Sequence, residues 1–171
     1  MAEPNLIYKV TVLRILSRAD FAVSNTQLTD FFLDMNYTDY FTIQQTIGDL
    51  VESDMLLVNA SHNTTLYTLS KEGERTLEAF KDKLTDAIDN DIKKYFAEHS
   101  LAMKQENSVT ANFDKSTSGG YIVECKVTSD SKELLSFRMH VATKEQAEAM
   151  CYNWKVKYED VQMSLLDILI Q

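Results

Sequence analysis

Residues 40–73 read YFTIQQTIGDLVESDMLLVNASHNTTLYTLSKEG, and this stretch decides the fold. Ile43, Ile47, Leu50 and Val51 fall at i, i+4, i+7 and i+8, the apolar stripe of a helix packed on a core. Met55 to Ala60 then turns apolar and β-branched, as a strand does. Ser61-His62-Asn63-Thr64-Thr65 has the composition of a turn. Leu66 to Leu69 returns as a strand with Tyr67 and Leu69 on one face. Ser70 is placed to cap a following helix.

Working outward, Leu6 to Ser17 predicts a first helix with Leu6, Val10, Leu13 and Leu16 inward and Pro4 just before its start. Asp20 to Val23 is a short connection suited to an edge strand beside the hairpin. Ser24 or Asn25 caps a second helix over residues 25–35, with Leu28, Phe31 and Phe32 on its apolar face. Asn36-Tyr37-Thr38 is the turn, and Thr38 or Asp39 caps the third helix. Two helices on a short turn, then a β-ribbon, predict a winged helix-turn-helix, and with it binding to double-stranded DNA. The outward face of the third helix carries Thr42, Gln45, Asp49 and Glu52, with Tyr40 and Gln44 toward its start. Glutamine can pair with an adenine edge. The candidate nucleic-acid contacts are therefore Tyr40, Thr42, Gln44 and Gln45 on the helix and His62 and Asn63 at the ribbon tip, with Lys9 and Arg14 near phosphates. Gly48 sits mid-helix, where glycine costs ~1 kcal/mol against alanine.

Charge opposes that reading. The 171 residues carry a net charge of -9. Up to Ser70, Lys9, Arg14 and Arg18 stand against eight carboxylates, a net of -5. Phosphate contacts dominate DNA affinity and need cations. The third helix and the turn of the ribbon contain no Lys or Arg. The rival expectation is an acidic protein-interaction module of the same architecture without DNA affinity.

Downstream, Glu72 to about Leu84 predicts a fourth helix, and Ile88, Ile92 and Phe96 predict a fifth or a bent continuation. His99 to Asn107 reads as the passage to a second domain. Three period-two runs follow: Val109 to Phe113, Tyr121 to Val127 and Leu135 to Val141. They predict a three-stranded antiparallel meander with one apolar face. Thr143 and Gln146 form a capping box that opens a last helix. In it Ala147, Cys151, Trp154, Tyr158, Val161, Leu165 and Ile168 recur at spacings 4-3-4-3-4-3. An unbroken helix overhangs the sheet, so its distal part needs another apolar cover, its own winged helix or the same helix of a second copy; Trp154, Tyr158, Val161, Leu165 and Ile168 are the candidates for pairing two copies as a homodimer. A break near Val156 is the alternative. The expected class is α+β, with a winged helix over residues 1–84, a connecting helix and linker over 85–106, and sheet plus helix over 107–171.

Residues 6–80 resemble the winged-helix domains of bacterial transcription regulators. YTLSKEGERTLEAF (Tyr67 to Phe80) is similar to their recurrent Y-x-L-T-x-x-G-x-x-x-L segment through Tyr67, Leu69, Ser70, Gly73 and Leu77. The whole chain resembles the bacterial domain-of-unknown-function family 4364 through YFTIQQ, the ribbon-to-helix segment and TKEQAEAMCYNW. The resemblance implies a regulator and supplies no ligand. DNA-binding winged helices commonly place Arg or Lys on the third helix or in the wing, whereas His62 and Asn63 hold the wing tip here.

Catalytic patterns are missing. The four glycines form no phosphate loop, and His62, His99 and His140 have no second ligand at metal spacing. Cys125 and Cys151 read as buried small hydrophobes. The expectation is a non-enzyme with no cofactor and no metal. A partner protein or small effector remains open, with Trp154, Tyr158 and Tyr121 as lining for a small pocket. MAEPNLIYK lacks the basic-then-apolar pattern of an export signal, and no apolar run is long enough to span a membrane, so a cytoplasmic protein is expected.

Overall fold

The computed structural model describes residues 4–60, 64–130 and 132–171. It is mixed α+β, with two three-stranded antiparallel sheets. The chain forms two compact units, the first ending at Met103 and the second running on from Lys104.

The first unit runs α1 (Pro4–Arg18), β1 (Val23–Ser24), α2 (Asn25–Asp34), α3 (Tyr40–Glu52), β2 (Leu56–Ala60), β3 (Thr65–Leu69), α4 (Lys71–Phe80) and most of α5 (Asp86–Ser108). Helix α1 is more enclosed than a one-sided stripe implies. Val10, Thr11, Val12, Leu13, Ile15 and Leu16 are all buried, so it is the central rod of this core. Phe31 and Phe32 of α2 and Ile43, Ile47 and Leu50 of α3 close on it. The edge strand expected before α2 is the short β1, and the sheet order is β1-β3-β2, with Tyr67 of β3 opposite both Val23 and Val58.

The corners are set by caps. Ser24 and Gln27 form a capping box at the start of α2, and Asp39 caps α3. Both helices end in the same way. Asn36 and Asp54 each adopt φ 55°, while Tyr37 N–H donates to Phe32 O and Met55 N–H to Leu50 O. These are Schellman endings, and Asn and Asp are among the few side chains that tolerate that conformation.

Helix α4 stops at Phe80, one turn of 3₁₀ helix covers Lys81–Lys83, and α5 starts afresh at Asp86. The expected passage over His99 to Asn107 is not a loop. Helix α5 continues through it to Ser108, because Leu101-Ala102-Met103-Lys104-Gln105-Glu106 are all strong helix formers without Gly or Pro.

The second unit places β4 (Val109–Lys115), β5 (Tyr121–Ser129) and β6 (Lys132–Val141) in the order β4-β5-β6 under α6 (Lys144–Leu169). Thr143 and Gln146 form the capping box, and α6 has no break near Val156. Its 26 residues span about 39 Å, against about 30 Å for the nine residues of β5. Ala147, Cys151 and Trp154 are buried on Ala111, Phe113, Val123, Cys125 and Val127.

Candidate functional site

The outer surface of α3 is where the chemistry expected from the sequence is concentrated, and the structure sorts its residues sharply. Gln44 does not project freely. Its amide nitrogen donates to Thr29 Oγ1 at 2.8 Å, and its oxygen accepts from Asn25 Nδ2 at 3.2 Å. Asn25 Oδ1 in turn accepts from Tyr67 OH at 3.4 Å. This chain ties α3 to α2 and β3 and so fixes the angle at which α3 is held. Thr42 is also engaged: its N–H and hydroxyl both donate to the Asp39 carboxylate, each at 2.9 Å. The Thr42 N–H holds the exposed Asp39 carboxyl below its ordinary value. Tyr40 is 52% exposed and Gln45 is exposed. Phe41, which the sequence reading passed over, is 81% exposed and stands edge-on to Tyr40 with ring centroids 5.7 Å apart. The helical wheel was the available signal, since two residues before Ile43 is about 200° from the buried stripe.

The cations expected near phosphate are committed to carboxylates. Lys9 Nζ lies 2.9 Å from Asp49 Oδ2. Arg14 Nε donates to Asp89 Oδ1 at 2.8 Å, and Arg18 lies 3.2 Å from Oδ2 of the same residue. His62 and Asn63 lie outside the described residues.

Asp89 is the hub of the ionic structure in this unit, since Lys93 also reaches it at 2.9 Å. Bonds from Arg14 and then Lys93 hold its carboxyl well below the usual range, and the group is mostly covered. A carboxyl with a lowered native pKa binds fewer protons folded than unfolded between the two pKa values. Its stabilisation is complete above the unfolded value of ~3.9 and is lost as pH falls below it. Asp89→Asn is expected to lower stability by about 1–2 kcal/mol at pH 7 by leaving two guanidinium groups without their carboxylate. The urea midpoints of the two proteins should draw together as the buffer is taken from pH 5 to pH 2.5. A constant gap would mean that Asp89 acts through shape and not charge.

The remaining candidates are structural. His99 stacks on Tyr95 at 4.2 Å, and His140 Nε2 lies 2.6 Å from Gly119 O in the β4–β5 turn. Burial pushes the Cys125 thiol up to about 12 and raises that of Cys151, so neither presents a thiolate. An open hollow of about 330 Å³ in the first unit is lined by Arg14, Leu69, Leu77, Leu84 and Asp89, with Arg14 and Asp89 paired to each other. Among the described residues no cluster of His, Cys, Asp or Glu could hold a metal ion, and no helix is long and apolar enough to cross a membrane.

Of the five residues expected to pair two copies, Trp154 is taken up by its own sheet. It is 3% exposed, edge-on to Phe137 at 5.3 Å, with its indole N–H donating to Lys126 O at 3.2 Å. Tyr158 and Val161 are half-buried beside the same cluster, Leu165 is half-buried, and Ile168 is 71% exposed.

No curated protein and no solved structure shows significant similarity to the chain. One family model does: it spans residues 8–169, from the middle of α1 to the end of α6, and so covers both units. The chain therefore belongs to the family described as domain of unknown function DUF4364.

Proposed function

We propose that the first unit is a winged helix-turn-helix, with α2–α3 as the helix pair and β2–β3 as the wing. We propose further that the protein is a regulator acting by docking the outer face of α3 on another protein. The second unit joins two copies, so that the assembly offers two such faces. One observation carries this reading: the face presents Phe41 and Tyr40 to solvent while every nearby cation of α1 is held by a carboxylate. Exposed aromatic rings are the usual anchors of protein interfaces. Asp39 and Glu52 at the two ends of α3 favour a partner whose pocket is bordered by Lys or Arg.

A second reading, contact with duplex DNA, is favoured by Gln45, which is exposed on α3. It must work without phosphate clamps, and it sets the Asp39 carboxylate at the helix start, where a phosphate would otherwise bind.

Titration of the full chain against random-sequence duplex from about 20 to 200 mM salt separates the two. No saturable binding is expected at any salt concentration. Binding that falls steeply with salt would overturn the protein-docking reading in favour of DNA. A photo-crosslinking side chain at position 45, used in cells, is expected to trap a protein adduct that Phe41→Ala abolishes. Nucleic-acid adducts would again favour the second reading.

A further inference from the structure

Helix α6 carries two apolar rows. The inward one meets the sheet as far as Val161. The other, Tyr152, Val156, Glu159, Met163, Leu166 and Ile170, has spacings 4-3-4-3-4 and lies about 150° around the helix from the first. It faces solvent: Tyr152 is 72% exposed, Val156 65%, Met163 61%, Leu166 46% and Ile170 76%. Ile168 at 71% and Leu169 at 75% extend the exposed apolar surface at the end of the helix. A period of 3.5 residues keeps a row facing a second helix over its whole length. A row that served only solubility would have no reason to keep it.

We infer that this outer row is the homodimer seam, occupied by the same row of a second copy running antiparallel, with the two-fold axis level with position 161 on the face away from the sheet. In that register Tyr152 meets Ile170 of the partner subunit, Val156 meets Leu166 of the partner subunit, and Glu159 lays its stem on Met163 of the partner subunit. In the two outer layers a larger side chain, Tyr152 or Leu166, opposes a β-branched one, Ile170 or Val156. The polar position decides the direction. A parallel pair would stack the two Glu159 carboxylates at one height inside the seam. The antiparallel pair separates them along the axis by about 6 Å.

Area supports a second copy as the occupant. Tyr152, Val156, Met163, Leu166, Leu169 and Ile170 expose roughly 100 Å² each, so this face offers about 600 Å² per copy, at the lower end of the ~600–1,000 Å² per partner of a specific interface. Beside the seam, the two Asp160 side chains face each other across the axis. The dimer should therefore tighten with added salt and in Asp160→Asn, opposite to an interface held by ion pairs. This inference deepens the pairing of copies proposed above and is independent of what the α3 face binds.

Sedimentation equilibrium of the full chain at micromolar concentration tests it. The wild type is expected to be a dimer, and Val156→Lys with Leu166→Lys is expected to weaken it at least 100-fold while circular dichroism stays unchanged. The register is read by oxidation. Val156→Cys with Leu166→Cys is expected to form an inter-subunit disulfide, and Val156→Cys alone is not, because its two copies lie about 15 Å apart along the axis. Crosslinking by the single variant would overturn the antiparallel arrangement. A dimer that survives both lysines would overturn this face while leaving pairing by another surface. A monomeric wild type would overturn both.

Discussion

Alanine at position 73 is expected to lower the stability of the first unit by about 2–3 kcal/mol, against the helix propensity that favours it. Gly73 lies in the first turn of α4, and its N–H donates to the capping Ser70 Oγ at 3.0 Å. That turn is pressed onto the corner where α3 gives way to β2. Ser70 N–H donates to Met55 O at 3.1 Å, and Ser70 OH donates to Asp54 O at 2.7 Å. A β-carbon on residue 73 would stand 2.2 Å from Met55 O and 2.8 Å from Leu69 Cδ1. The leucine can rotate; the carbonyl cannot, because the Schellman ending of α3 and the Ser70 bond both hold it. Relief requires moving α4 off the corner, at ~1–3 kcal/mol for overpacking and ~1 kcal/mol for each hydrogen bond lost. Helix propensity returns only ~1 kcal/mol. Gly48 is the control. Nothing lies within 4 Å of its missing β-carbon, so Gly48→Ala should stabilise the unit by about 0.5–1 kcal/mol. Urea midpoints followed by far-ultraviolet circular dichroism measure both. Opposite signs support this account, and equal shifts would refute it.

The same corner explains why this part of the fold was legible before any coordinates. Tyr67, Leu69, Ser70 and Gly73 form a recognisable string because each meets a separate local demand: a buried strand residue, a partly buried neighbour, a helix cap and a backbone approach too close for a side chain. Helix stripes on α2, α3 and α6 were equally legible, since each buries one face. Helix α1 is less legible, because a helix enclosed on most sides leaves no broad polar stripe to mark its bounds. The linker expected over residues 99–107 failed for a related reason. The apolar stripe ends there, yet a solvated helix needs only good formers.

The candidate face was legible in position and less so in content. Sequence patterns say which residues point outward from α3, but not which of them are already engaged. Gln44 reads as a free amide along the chain, and only the approach of Thr29 and Asn25 turns it into a structural tie. Arg14 and Arg18 meet Asp89 across more than 70 positions of sequence, a pairing that no local pattern encodes. The outer row of α6 was present in the sequence with the same period as the inner one. It is less conspicuous than the row with Trp154 because Glu159 interrupts it.

Trp154 itself should be the most sensitive residue of the second unit, and its loss gives a readout that needs no binding partner. Truncating a buried tryptophan to alanine costs about 3–5 kcal/mol. Trp154 is 3% exposed, stands edge-on to Phe137, and bonds the backbone of β5 through its indole N–H. Cys125 and Cys151 belong to the same buried cluster. Both thiols are buried, so a thiol reagent can reach them only when this core opens. Trp154→Ala is therefore expected to raise the labelling rate of both cysteines at pH 8 by about two to three and a half orders of magnitude, the equivalent of that free-energy loss. Trp154→Phe should fall between, since a smaller ring keeps the edge contact with Phe137 but cannot donate to Lys126 O. If both variants labelled at the wild-type rate, the sheet and α6 would be held by something other than the Trp154 cluster. The inward row would then lose its standing as the core of this unit, and the assignment of the outward row to a second copy would lose the contrast on which it was drawn.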